Sequence, residues 1–69
     1  MQISGRNKIK GSVTRIIQGD VCSEVEIDAG NGIIIAGVIT KGSVEEMNIK
    51  VGDNITALVK ATSVMFIKE

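Results

Sequence analysis

The run Gly32-Ile33-Ile34-Ile35-Ala36-Gly37-Val38-Ile39-Thr40 is apolar at consecutive positions, not alternate ones. A strand points successive side chains to opposite faces, so a strand of this sequence must hide both. The run is far too short to cross a bilayer, which takes about 20 apolar residues as a helix. The whole chain has 69 residues, enough for a single domain over 1–69 with one small core. Such a core covers one face of a sheet, and the other face calls for a second copy of the chain. Association between copies is therefore the first expectation, with any ligand site built between subunits.

Small scaffolds usually need a disulfide, a metal or association to hold them together. Cys22 is the only cysteine and there is no histidine, so an intrachain disulfide and a structural zinc site are excluded. Association is the route left. The start of the chain, Met-Gln-Ile-Ser-Gly-Arg, shows no apolar signal segment, and a lone cysteine suits a reducing compartment. A cytoplasmic protein without membrane contact is expected. Eight basic residues balance eight acidic ones, which argues against a general nucleic-acid binder. Phe66 is the only aromatic residue, so there is no set of stacking platforms for single strands. Without histidine, the commonest general acid and base is missing, and a non-enzymatic role is expected.

The period along most of the chain is two. Lys8 to Gln18 reads as a long strand with Gly11 at a bend or bulge. Gly19-Asp20 is a tight turn, and Val21, Ser23, Val25 and Ile27 then alternate with Cys22, Glu24, Glu26 and Asp28 as a half-buried strand. Asp28 to Gly32 forms a second turn into the apolar third strand. Ser43-Val44-Glu45-Glu46-Met47 has a capping-box pattern, with Ser43 as N-cap, Glu46 reaching back, and Val44 and Met47 facing the core. Asn48 ends this helix. Ile55 to Lys60 is a fourth strand and Thr62 to Lys68 a fifth, with Ala61 at the junction. The expected fold class is all-β: an OB-fold-like five-stranded Greek-key barrel with one short helix between strands 3 and 4. An SH3-like barrel has similar strand counts but usually lacks a helix in that place.

Three segments carry candidate chemistry. Ser4-Gly5-Arg6-Asn7 combines a hydroxyl, a glycine that exposes backbone amides and a permanently charged guanidinium. The same residues would also suit a solvated tail. Lys60-Ala61-Thr62-Ser63 places a cation beside two hydroxyls at a strand end, a composition that equally suits a soluble turn. Thr40-Lys41-Gly42-Ser43 joins the apolar strand to the helix. None of the three contains a carboxylate, and donors with cations are what an oxyanion requires. Hydrogen bonds to a charged group contribute roughly 1.5–3 kcal/mol each. Micromolar binding needs about −8 kcal/mol, so about four to six donors would suffice after desolvation. No one short segment can surround an ion, so two or more must converge.

The end motifs Ser4-Gly5-Arg6-Asn7 and Leu58-Val59-Lys60-Ala61-Thr62-Ser63-Val64, with Val51-Gly52-Asp53 between them, carry a family resemblance. Over its whole length the chain resembles the molbindins, small Mop-type molybdate-binding proteins. Two departures are visible: Gly5 stands where many relatives have Ala, and Lys41-Gly42 where they often have acidic or polar residues. The resemblance implies a homohexamer, a trimer of dimers, holding molybdate or tungstate at subunit interfaces. It carries over Ser4, Arg6, Thr40, Ser43, Lys60, Ala61 through its backbone amide, Thr62 and Ser63 as oxyanion-binding residues. It also implies more than one class of site, and amides around Gly19, Val21, Cys22 and Ser23 are the candidates for a second. The implied role is intracellular oxyanion storage without a catalytic cofactor. The alternative is a ligand-sensing or interaction module serving a molybdate-responsive regulator or a transporter.

Overall fold

The computed structural model describes residues 2–69. Its strands are β1 (Asn7–Ile17), β2 (Cys22–Gly30), β3 (Ile33–Thr40) and β4 (Asn54–Val59), with helix α1 (Lys41–Glu46) between β3 and β4. All pairings are antiparallel, and the strand order is β3-β2-β1-β4. The fold is thus all-β with one short helix, as expected. It has four strands, however, not five. After β4 the chain makes a single 3-10 turn over Ala61–Ser63, closed by Ser63 N–H donating to the Lys60 carbonyl at 2.9 Å. Residues 64–69 join no ladder. The expected fifth strand has the right side chains, but a strand also needs a neighbour for its N–H and C=O groups. Within one chain it has none.

The inner face of the sheet carries the core. Val13, Val25 and Ile27 are buried with Val44 of α1 and Ile49, and Ile16, Ile35, Ile39, Ile55 and Ala57 pack around them. Register explains the selection, because directly opposed residues share a face. Val13 stands opposite Ile27, Ile27 opposite Ile35, and Ser23 opposite Ile39. The apolar run is divided accordingly. Ile35 and Ile39 turn inward, while Ile34 and Val38 lie opposite Asp28 and Glu24 on the outer face, 53% and 68% exposed. Residues of both outermost strands line one apolar groove of about 220 Å³, with Ile35 and Ile39 on one side and Ala57 and Leu58 on the other. The sheet therefore curls without closing.

The bend in β1 falls at Thr14, not at Gly11. Val13 pairs with Ile27 and Arg15 with Glu26, so one extra residue sits on β1 as a bulge. Gly11 stays in regular register opposite Ile55 but lies so near β2 that a Cβ there would meet the Asp28 carbonyl oxygen at 2.6 Å. Backbone cannot give way as a flexible side chain can. Gly11→Ala should cost about 1–3 kcal/mol of stability, read as a lower denaturant midpoint. The β2–β3 hairpin turns on Asn31-Gly32, with φ of 54° and 77°, the paired positive values that Asn-Gly adopts at little cost.

The helix also starts earlier than its sequence pattern suggests. Thr40, not Ser43, is the N-cap: its side-chain oxygen accepts from the Ser43 amide at 3.0 Å. Thr40 is still extended, as an N-cap must be, and the next amide, that of Lys41, donates to the Val21 carbonyl at 2.9 Å. The strand end thus sets the start of the helix. At the other end Asn48 adopts a φ of 51°, with Asn48 N–H donating to Glu45 and Ile49 N–H to Val44, a Schellman closure. That closure turns Ile49 into the core. Met47, expected to face inward, is the C-cap and is 64% exposed.

Candidate functional site

The β1–β4 ladder brings the two end motifs together. Its last pair is Asn7 opposite Val59, preceded by Lys8 opposite Leu58. Arg6 precedes Asn7 and Lys60 follows Val59, so the two cations leave adjacent strand ends just beyond the last ladder pair. Both cations are exposed, and among the described residues the single ion pair is Arg15 with Glu26, at 3.9 Å. Gly5 is half-buried, with Leu58 and Ile3 beside it, and Ser4 is exposed next to it. On the β4 side, the 3-10 turn engages the amides of Ser63 and Val64. The amides of Ala61 and Thr62, at the start of that turn, have no partner within it. Ala61, Thr62 and Ser63 are all exposed. Ser4, Arg6 and Lys60 to Ser63 therefore form one cluster of donors and cations on two adjacent strand ends.

Thr40 and Ser43 belong to a different end of the sheet. Thr40 lies opposite Cys22, near the β1–β2 turn, whereas Arg6 precedes the first residue of β1. The two groups lie at opposite ends of β1, so one chain does not gather all eight candidates. The Thr40 and Ser43 hydroxyls are 2.8 Å apart and bond each other. One of their two protons is used in that bond, so the pair keeps a single hydroxyl donor for a ligand.

The candidates near the β1–β2 turn divide in two. Val21 and Cys22 are exposed, and a side chain at Gly19 would run into the Cys22 carbonyl, so this turn holds its shape only with glycine there. Ser23 is different: strand alternation carries it inward, and it is 2% exposed with no partner for its hydroxyl among the described residues. The Ser23 side chain is therefore not a surface donor in one chain. Among the described residues no three His, Cys, Asp or Glu side chains cluster as a metal site would require. No helix among them is long and apolar enough to cross a membrane.

One residue with a visible role was not among the candidates. Asn7 donates its side-chain N–H to the Val59 carbonyl at 3.1 Å, across the strand pair that carries the cluster. Its signal in the sequence was only its place beside Arg6.

The structure is that of a small all-β domain: a four-stranded curled sheet with a carboxylate-free group of donors and cations at one corner. The chain belongs to the TOBE-domain family, whose pattern matches residues 3–66. It is similar to a probable molybdenum-pterin-binding protein of Haemophilus influenzae, 43% identical over 65 residues and 94% of each chain. Its structure superposes on a molybdate-binding protein from Sporomusa ovata with a TM-score of 0.91, at 40% identity, covering 99% of this chain and 100% of that one. A molybdenum transport protein of Azotobacter vinelandii is 45% identical over an alignment of 71 positions, gaps included, that spans all of this chain and 26% of that protein.

Proposed function

We propose that this chain binds molybdate, and tungstate with it, at sites shared between copies of itself, and stores the oxyanion in the cytoplasm without transforming it. The observation that supports this reading is that Arg6 precedes and Lys60 follows the last β1–β4 ladder pair, Asn7 with Val59, so that two cations without carboxylate partners lie on adjacent strand ends beside free amides and hydroxyls. Two like charges on adjacent strand ends repel, and a dianion between them removes the repulsion. Charge-assisted hydrogen bonds from a guanidinium, an ammonium and amides are the strong kind, and they match a tetrahedral set of oxygens. The Sporomusa protein, so similar in fold and sequence, is itself described as molybdate-binding.

A homohexamer, a trimer of dimers, is the assembly proposed. Val38 and Ile34 leave the outer face of β3 apolar, and the tail carries Met65-Phe66-Ile67, with Phe66 94% exposed. Neither surface has a cover in one chain, and a second copy supplies one. It also supplies the Thr40–Ser43 pair that one chain holds away from Arg6. The transport-protein relative favours a second reading, in which the domain senses ligand for a larger partner. Recovery of a stoichiometric regulator or transporter in a pull-down would support that reading over storage.

Selectivity tests the main proposal. Donors fixed by subunit packing would stand too far apart for sulfate, whose bonds to oxygen are shorter, and each donor left unpaired weakens binding. In a melting series at matched ionic strength, molybdate and tungstate should raise the thermal midpoint alike, and sulfate and phosphate far less. Equal stabilisation by sulfate would make this a general anion binder and overturn the molybdate reading.

A further inference from the structure

We propose that Asn7 is a positioning residue for the oxyanion cluster: its side-chain bond to the Val59 carbonyl fixes the spacing of Arg6 and Lys60. The inference rests on the reading of those two cations as ligand-binding. Asn7 is joined covalently to Arg6, and the carbonyl it holds at 3.1 Å belongs to the peptide that links Val59 to Lys60. One side chain thus ties the two strands together at the residues next to the two cations. The bond is needed at this place for an electrostatic reason. Arg6 and Lys60 lie on adjacent strand ends just beyond the last ladder pair, where the sheet no longer holds the strands against the repulsion of two like charges. Without the Asn7 bond the strand ends would splay, and the donors would no longer converge on one ion.

Calorimetric titration with molybdate, on the unaltered assembly and on four variants, tests this. Asn7→Ala should bind about tenfold more weakly, the scale of one lost hydrogen bond in a charged site. Its assembly mass should stay unchanged, and its unliganded thermal midpoint should fall no further than that of Thr14→Ala, which loses a bond of the same kind. Asn7→Gln, which keeps the donor, should recover most of the affinity. Thr14→Ala is the control. Thr14 Oγ1 donates to the Glu26 carbonyl at 3.3 Å, a bond of the same kind on the same strand but at the bulge, so its loss should leave affinity unchanged. Unchanged affinity in Asn7→Ala, failure of Asn7→Gln to recover, or an equal loss in Thr14→Ala would overturn the positioning role. If Lys60→Ala abolishes binding while Asn7→Ala does not alter it, only the positioning role falls. Absence of molybdate binding by the unaltered protein overturns the site and this inference together.

Discussion

Lys60→Ala and Arg6→Ala should each weaken molybdate binding by about 2–5 kcal/mol, the cost of removing one partner from a buried, hydrogen-bonded charge pair. Each cation is exposed in one chain, so the size of the effect depends on a second copy closing over the site and drying it. Lys50→Ala is the comparison. Lys50 is held at the α1–β4 turn, where its backbone amide donates to the Asp53 carboxylate at 2.8 Å, away from the strand ends that carry the cluster. Its ammonium contributes only to the general field, and its loss should change affinity little. Titration calorimetry of the three variants separates the two origins of attraction. Small and equal losses at all three positions would mean that molybdate is drawn by diffuse charge, with no defined site.

The second large effect concerns assembly. Val38→Asp should dissociate the oligomer, because a carboxylate without a partner in a dry interface costs about 3–5 kcal/mol. Val38 lies opposite Glu24 on the outer face, so the new charge would also face an existing one. The fold of each chain should survive, since the core lies on the other face with Val25, Ile27 and Ile39. Light scattering should report a smaller particle, and circular dichroism an unchanged sheet. An unchanged mass would show that the outer face of β3 is not an interface.

Much of this architecture could be read from the residues alone. Alternation located β2, the apolar run located β3, and Val44 was placed in the core of a short helix, where it lies. The failures have a common cause: each depended on what lies across from a residue, not on the residue itself. Ser43 has the composition of an N-cap, but Thr40 has the geometry, because β3 ends there. Gly11 carries the signal of a bend, yet its lack of a side chain serves a close approach to Asp28 while the bulge falls at Thr14. Met47 has the spacing of a core residue, but the left-handed turn at Asn48 sends Ile49 inward instead. For the site, the motifs identified which residues share a chemistry. Only the register revealed that Arg6 and Lys60 leave adjacent strand ends and that Thr40 and Ser43 lie at the far end of β1. Asn7 was hidden by the same limit, since an amide in a polar segment acquires a role only from the carbonyl it reaches.

The tail beyond Ser63 carries the apolar residues of a strand without a ladder to join. In the assembly proposed here its cover belongs to another molecule, and the stability of each chain then depends on how many others are present. Dilution would act on this protein as a denaturant acts on others, removing neighbours before it loosens any internal contact. A cell making few copies would hold incomplete chains that bind little oxyanion. Capacity would appear only once synthesis passed the concentration at which chains complete one another, so that the amount of protein, as well as the amount of ligand, sets when storage begins.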